Sequence, residues 1–370
     1  MNELLYQVPE FYSLYNYRRQ VIEQIFQALQ GEDAAEKKVS LLQSELRLNT
    51  SILKRDFKVY GAFSYRHWVV DQWMKVAEED ATALAALLTA LEKEKENCRL
   101  LLELDARNFH SWNYRRWALL QLEKANEIRE KCNKENETAP PLTGFFLPDE
   151  EAELSFTVEK IQSNFSNYSA WHQRGYIVRK ALARRGSSTQ TDKEEVIPSL
   201  WRVISDDFKY LLQSIFCDPN DQASWCYAGF CFELFRQFEE GFLSYYASQS
   251  SLHTDDDEST ALLHQCHGDI RDAFVQATVN LIREQKALQE DKECFLPYYF
   301  LLNEILQLRQ TVQAGDSKDG QRLQRYVALL PEVLEGAEGL DGVIASLQSH
   351  LVTVDPYRRE MYRNLYQQTP

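Results

Sequence analysis

The chain has 370 residues, of which 44% are hydrophobic and 26% are charged, a composition that excludes a disordered protein. Lysine and arginine number 41 against 56 aspartate and glutamate, so the formal net charge is −15. This excludes the broad basic surface of a nucleic-acid-binding protein, and an anionic membrane would repel the chain. With 13 glycines and 10 prolines it has too few turn-forming residues for an all-β fold, so long helices are favoured.

Five segments along the chain repeat one pattern. Each has an aromatic anchor, and the anchors recur at similar intervals: Tyr15, Phe63, Trp112, Trp171 and Trp225. In the first four segments an arginine follows three positions later: Arg18, Arg66, Arg115 and Arg174. The fifth segment has Ala228 at that position, and a weaker sixth unit begins near residue 295. A period of roughly 50 residues indicates a stacked helical repeat.

Helix-start residues precede three of the anchors, namely Asn108, Asn167 and Asp221. Upstream of each anchor lies a second helical pattern, such as the apolar face that runs from Leu84 to Leu102. Each repeat is therefore predicted to be an antiparallel helix pair whose second helix begins at the anchor. Because one pair cannot bury its apolar stripe alone, we expect an all-α, right-handed superhelix that forms a single domain over residues 1–370.

Four polar segments interrupt the pattern and are predicted to be surface loops of open function: 132–150, 184–195, 248–260 and 312–320. The longest apolar run, residues 81–91, is too short to span a bilayer, and no signal peptide is recognised, so no membrane insertion is expected. Seven cysteines without a C-x-x-C motif indicate reduced thiols and a cytoplasmic protein.

One cluster has metal-like composition. His264 and His267 flank Cys266, and on a helix the two histidines would share a face, but no third ligand is evident. No metal site is therefore assigned to this chain. Nucleotide-binding and nucleophile motifs are absent from the sequence, which indicates that the chain has no self-contained catalytic apparatus.

The aromatic–arginine segments resemble the repeat of protein prenyltransferase α subunits. Residues 105–112, 164–172 and 218–225, with the closing 355–358, are most similar to α subunits of the type II enzymes, the geranylgeranyltransferases that act on Rab GTPases. The resemblance implies an obligate heterodimer in which a β subunit holds the zinc ion and most of the isoprenoid pocket. It further implies transfer of geranylgeranyl from geranylgeranyl diphosphate to C-terminal cysteines of a Rab GTPase that an escort protein presents.

The chain lacks the sequence patterns of the immunoglobulin-like and leucine-rich-repeat domains found in mammalian members, so it resembles the compact fungal form. Its first repeat starts within a dozen residues, earlier than is usual in the family. Whether a further segment precedes it is left open.

The resemblance also implies a site. Lys58, five residues before Phe63, matches the family lysine that contacts the diphosphate, and Tyr60 matches a nearby family tyrosine. His110 is a third candidate catalytic residue, and Arg107 and Phe109 are candidate substrate-binding residues. The alternatives are a solvated lysine at 58, a partly buried histidine at 110 held at a helix terminus, and an arginine at 107 that pairs with an acid on the next helix.

The arginines that follow the anchors are interpreted as structural, since each can bridge to a carboxylate of a neighbouring repeat or of a partner. Two other functions remain open. One is the α subunit shared by farnesyltransferase and geranylgeranyltransferase type I. The other is a non-catalytic helical-repeat adaptor, which the degenerate fifth repeat would suit.

Overall fold

The computed structural model describes residues 2–133, 144–185, 190–249, 258–288, 293–315, 317–334 and 336–365, and over these ranges the regular structure is helical throughout, without strands. The all-α prediction is thereby confirmed. The α-helices are α1 Asn2–Gln7, α2 Tyr12–Ala28, α3 Ala34–Arg55, α4 Tyr60–Ala77, α5 Ala81–Leu104, α6 Phe109–Asn133, α7 Pro148–Ser163, α8 Tyr168–Arg185, α9 Gln190–Cys217, α10 Gln222–Ser248, α11 Glu258–Gln265, α12 Ile270–Leu288, α13 Leu296–Gln313, α14 Ser317–Leu329, α15 Gly339–Val354 and α16 Arg359–Leu365. Two short 3-10 helices are Leu330–Glu332 and Pro356–Arg358.

The chain forms two compact units, Met1–Thr143 and Gly144–Pro370. The first contains α1 to α6, and the second contains α7 to α16. The single domain over 1–370 and the right-handed superhelix stay predictions.

Four consecutive helix pairs share one design: α3 with α4 and α5 with α6 in the first unit, and α7 with α8 and α9 with α10 in the second. Within each pair, four residues connect the two helices. A connection this short makes the two helices antiparallel neighbours. The predicted helix hairpins are confirmed.

Each anchor is the fourth residue of the second helix of its repeat, and all five anchors are buried: Tyr15, Phe63, Trp112, Trp171 and Trp225. The three tryptophans also donate their indole N–H to the backbone carbonyl six residues earlier, at 2.8 to 3.0 Å. Tyr15 donates its hydroxyl to the carbonyl of Pro9, again six residues earlier, at 3.0 Å. The anchor therefore packs in the core with its ring and holds the preceding connection with its hydrogen bond.

The connections repeat a second feature. Their first residue turns the chain with its side-chain oxygen, which accepts the backbone N–H two residues later at 3.0 to 3.1 Å: Asp56, Asp105, Asn164 and Asp218. The predicted helix starts are confirmed, because the side-chain oxygens of Asn108, Asn167 and Asp221 accept N–H groups of the first turn that follows.

Buried carboxylates link consecutive repeats. Glu94 on α5 accepts two hydrogen bonds of 2.6 Å from Arg66 of the preceding repeat and one of 2.7 Å from Tyr114 of its own repeat. Burial lowers the pKa of Arg66, but the Glu94 carboxylate, together with Tyr114 and Cys98, outweighs burial and the pKa is raised. The guanidinium thus stays charged in the core.

The same arrangement occurs twice more. Glu45 links Arg18 to Tyr65, and Asp207 links Arg174 to Tyr227. In all three repeats the carboxylate stands at the same distance along the sequence before the anchor of its own repeat. The structural interpretation of these three arginines is confirmed.

The loop predictions are wrong at the ends of all four segments. Residues 132–133, 184–185, 248 and 312–313 end α6, α8, α10 and α13, and residues 148–150 and 258–260 begin α7 and α11. Residues 190–195 form the start of α9, and residues 317–320 form the start of α14. Both stretches are rich in charged and hydroxyl side chains, which suit the free N–H groups of a first helical turn as well as they suit a loop. The centres of the polar segments, residues 134–143, 186–189, 250–257 and 316, lie outside the described residues.

The shared helical face expected for His264 and His267 is also wrong. The helix α11 ends at Gln265, and His267 has φ 53°, in the left-handed region. The Nδ1 atom of His264 instead lies 2.7 Å from the hydroxyl of Tyr246. The weak sixth unit near residue 295 corresponds to the start of α13, where Tyr298 is buried.

Two further properties bear on the sequence-based expectations. All seven cysteines are in the thiol form. Over the described ranges, each helix falls short of the length or the apolar character needed to cross a bilayer.

Candidate functional site

The five candidate site residues come together in the first unit, where the connections 56–59 and 105–108 lie side by side. Asn108 joins the two connections, because its Nδ2 donates to the backbone carbonyl of Phe57 at 2.7 Å. Its Oδ1 meanwhile accepts the N–H of His110 at 3.1 Å and so caps α6. One buried side chain therefore fixes the starts of α4 and α6 relative to each other.

Lys58 lies at this junction with 60% of its side chain exposed. Its Nζ is 2.8 Å from Oδ2 of Asp105, the first residue of the neighbouring connection. Its backbone N–H is held by Oδ1 of Asp56 at 3.1 Å. The hydrogen bond from Lys58 is the main reason why the pKa of Asp105 is lowered, so this carboxyl is ionised at neutral pH.

Tyr60 is the first residue of α4, and its ring is 55% exposed. The ring meets the imidazole of His110 edge to face, with centroids 4.0 Å apart, and lies 6.3 Å from the ring of Phe109. Its backbone N–H donates to Oε1 of Glu10 at 3.1 Å. The tyrosine thus belongs to an aromatic edge at the helix starts.

His110 is half-buried, and its ring stacks on Phe63 with centroids 5.5 Å apart. Burial lowers the pKa of His110, the Lys58 ammonium lowers it further, and Glu10 partly opposes both. The imidazole is consequently neutral at pH 7, with one nitrogen that donates and one that accepts. The structure agrees with a partly buried histidine at a helix terminus and leaves a catalytic role open.

Phe109 and Arg107 complete the group. Phe109 is the first residue of α6 and is 52% exposed. Arg107 is exposed, and its backbone N–H donates to Oδ1 of Asp105 at 3.0 Å. The alternative was an ion pair between Arg107 and an acid on the next helix. Within the part of the chain that the structure describes, the Arg107 guanidinium forms no such pair.

The arrangement suits an anion flanked by an apolar chain. Lys58 and Arg107 belong to the connections that lead into the N-terminal ends of α4 and α6, and the dipoles of these two helices also favour negative charge there. Three exposed or half-buried aromatic rings, those of Tyr60, Phe109 and His110, contact one another at the same helix starts. A metal ion has no candidate group here, since no three His, Cys, Asp or Glu side chains among the described residues converge to hold one.

Sequence reasoning missed two residues of the site. One is Glu10, which reaches Tyr60 from fifty positions away and has no local pattern that marks it. The other is Asp105, which could have been found because an Asp or Asn also lies seven residues before Phe63, Trp171 and Trp225. Asn108 was recognised only as a helix cap.

Comparison with known proteins agrees with this architecture. Residues 42–73, 91–122 and 150–181 each match the family described as protein prenyltransferase alpha subunit repeat. These matches coincide with the pairs α3/α4, α5/α6 and α7/α8. Each match begins three residues before a buried glutamate on the first helix of its pair: Glu45, Glu94 and Glu153.

Relatives are similar to more than half of the chain. The "Geranylgeranyl transferase type-2 subunit alpha" of Homo sapiens is 30% identical over 219 residues, which are 59% of this chain and 30% of the human protein. The protein of the same name from Saccharomyces cerevisiae is 29% identical over 226 residues, 61% of this chain and 55% of the yeast protein. The protein of the same name from Candida albicans is 25% identical over 237 residues, which are 61% of this chain and 57% of the Candida protein.

The chain therefore spans under a third of its mammalian relatives and a little over half of its yeast relatives. The helix hairpins, the aromatic anchors and the matched segments lead to one conclusion: residues 42–73, 91–122 and 150–181 of this chain are three protein prenyltransferase alpha subunit repeats.

Proposed function

We propose that this chain is the α subunit of a heterodimeric protein geranylgeranyltransferase of type II. Together with a β subunit, it transfers geranylgeranyl from geranylgeranyl diphosphate to the C-terminal cysteines of a Rab GTPase that an escort protein presents. The enzyme acts in the cytoplasm. The observation that carries the proposal is that two matched repeats, 42–73 and 91–122, contain Lys58, Tyr60 and the segment 107–110, and that relatives with the type-2 alpha-subunit name are similar to the chain.

The transfer reaction requires stabilisation of the diphosphate leaving group, and we assign that task to this chain. In the transfer, a carbon–sulfur bond forms at C1 of the prenyl chain as the carbon–oxygen bond to diphosphate breaks, and diphosphate departs with the bonding electrons. Negative charge accumulates on the diphosphate oxygens in the transition state. We assign the stabilisation of that charge to the Lys58 ammonium and the Arg107 guanidinium, since a positioned cation can lower such a barrier by about 3 kcal/mol.

The neighbouring aromatic rings have a different role, which is to contact the substrate around its reacting carbon. Tyr60 and Phe109 offer exposed aromatic edges beside the cations, where the first isoprene unit of the substrate would lie. The neutral His110 can donate one hydrogen bond to the diphosphate without adding a proton that must later be removed.

We place the zinc ion in the β subunit. When bound there, zinc would lower the pKa of the substrate thiol and so supply the thiolate. The candidate site of this chain supports that assignment, because its cations and aromatic rings suit a prenyl diphosphate and not a thiol.

Reconstitution tests the proposal. The chain is coexpressed with its β subunit, and the purified complex is given labelled geranylgeranyl diphosphate with either an escort-presented Rab or a free C-a-a-X peptide. We expect label on the Rab and none on the peptide. Modification of the peptide alone would reassign the chain to the subunit shared by farnesyltransferase and the type I enzyme. A stable complex that transfers to neither substrate would leave only an adaptor role.

A further inference from the structure

We infer that Asp105 is a positioning residue for Lys58: its carboxylate holds the lysine ammonium at the junction of the two connections, ready for the diphosphate. This inference rests on the proposed function, because it assigns a second residue to the same reaction. Asp105 itself contacts neither the prenyl chain nor the thiol in this account.

The carboxylate is fixed by the fold and not by the lysine. Its Oδ1 accepts the N–H of Arg107 at 3.0 Å, and the backbone carbonyl of Asp105 accepts the N–H of Asn108 at 3.0 Å. Asn108 is buried and is tied in turn to Phe57, the residue before Lys58. Both ends of the Lys58–Asp105 pair are therefore attached to one rigid junction.

The two oxygens of Asp105 have separate tasks. Oδ1 makes the turn that all four connections share, whereas Oδ2 is the atom 2.8 Å from Nζ of Lys58. Among the equivalent turn residues, Asp56 and Asp218 form no ion pair within the ranges that the structure describes, and Asn164 carries no charge. The pairing is thus specific to the connection beside Lys58.

An exposed ion pair of this kind adds little stability, so stability does not explain it. Its effect is on geometry. A lysine has a flexible four-carbon stem and three N–H donors on its ammonium. One donor used on Asp105 fixes the ammonium and leaves two for diphosphate oxygens, so the reacting geometry is formed before the substrate arrives.

The chain itself supplies a substitution that keeps the turn. Asn164 makes the same turn with an amide oxygen, which accepts the N–H of Ser166 at 3.0 Å. Asp105→Asn should therefore fold normally while it removes the charge that holds Lys58. A matched control is Asp218→Asn, which makes the same change at an exposed turn of the second unit.

The experiment is a double-mutant cycle on the reconstituted heterodimer with an escort-presented Rab. We expect Asp105→Asn to lower kcat by about tenfold while KM for geranylgeranyl diphosphate changes by less than about threefold. In the Lys58→Ala background we expect Asp105→Asn to have no further effect, because the group that it positions is gone. Asp218→Asn should leave both constants unchanged.

Two results would overturn the inference: full activity of Asp105→Asn, or an equal loss of kcat with and without Lys58. A heterodimer that modifies Rab at the normal rate after Lys58→Ala would instead contradict the assigned role of the lysine. A heterodimer without any Rab transfer would contradict the proposed function as a whole.

Discussion

His67 shows how a single half-buried side chain makes this fold sensitive to acid. It lies on α4, and its ring is packed edge to face against Trp117, with centroids 4.1 Å apart, and against Tyr114 at 5.0 Å. Burial lowers the pKa of His67 to about 4, from the ordinary value of 6.5. The folded protein therefore keeps this imidazole neutral at a pH where the unfolded chain would protonate it.

The sign of the pH effect follows from that difference. Above pH 6.5 neither state binds the proton and the full stability is present, whereas from pH 6.5 down to about 4 the unfolded state gains the proton and stability falls. We expect the melting temperature of His67→Gln to fall less than that of the unaltered chain between pH 7.5 and pH 5, as measured by circular dichroism. Parallel falls in the two proteins would contradict this assignment.

At the scale of helices, α2 and α4, the second helices of two consecutive repeats, approach each other closely because a glycine lies between them. Gly61, the second residue of α4, faces the ring of Tyr15, the anchor on α2. A β-carbon added at Gly61 would lie 2.7 Å from Cε2 of that ring. Real β-carbons do not approach other atoms so closely, so the tyrosine ring or the helix would have to move.

We expect Gly61→Ala to destabilise the protein by about 1–3 kcal/mol, measured by urea denaturation, because the buried ring cannot shift freely. The control is Gly229→Ala on α10, where the added carbon meets no atom within 4 Å apart from the adjoining residues and the backbone of its own helix. Since alanine favours a helix over glycine, that variant should gain about 0.5–1 kcal/mol. Equal effects at the two glycines would show that the contact with Tyr15 is unimportant.

The shared carboxylates also act at this scale. Glu94 receives hydrogen bonds from helices of two repeats, and both partners are buried. Loss of one member of such a group leaves a buried charge without its counter-ion, which costs far more than the pair adds over apolar packing. We therefore expect these carboxylates to determine which helices are neighbours more than they raise the stability of the protein.

For the whole molecule, the proposed function allows two roles for Lys58, in assembly with a β subunit or in catalysis. The chain carries a net charge of −15, yet Lys58 and Arg107 are local cations at one junction. Lys58 is exposed, and its removal leaves the turn at Asp105 intact. Assembly with a β subunit depends on a large surface, to which one such side chain contributes little.

We expect Lys58→Ala to lower turnover of the heterodimer by about 100-fold, the loss typical of a removed transition-state contact. The dissociation constant of the two subunits, measured by titration calorimetry, should change by less than about threefold. Weakened assembly with unchanged turnover of the assembled enzyme would show that the lysine is an interface residue instead.

The sequence predicted the helix hairpins because their determinants are local. Anchors such as Trp112 and caps such as Asn108 are close to the helix starts that they specify, so pattern and spacing are sufficient. The bridging role of Arg66 was foreseen, but its partner Glu94 was not, although the constant spacing from acid to anchor in three repeats was available. The polar stretch at 190–195 was assigned wrongly because composition does not separate a loop from a first helical turn.

The site was only partly predictable for a related reason. Lys58, Tyr60, Arg107, Phe109 and His110 are implied by the family resemblance once the repeat register is set, and the structure brings them together. Their functional roles stay predictions. Glu10 and the pairing of Lys58 with Asp105 depend on how two connections meet in space, which spacing along the chain does not encode.

The four-residue connections have a consequence for how this chain tolerates changes in length. Each connection holds a turn residue and a helix cap, and the anchor that follows bonds to a carbonyl six residues earlier. All three contacts require a connection of four residues, so an inserted residue would break several hydrogen bonds together. The long polar segments instead follow second helices, after α6, α8 and α10. Affinity tags, fluorophores or whole foreign domains should accordingly be spliced in after those helices, where the repeat has already been completed.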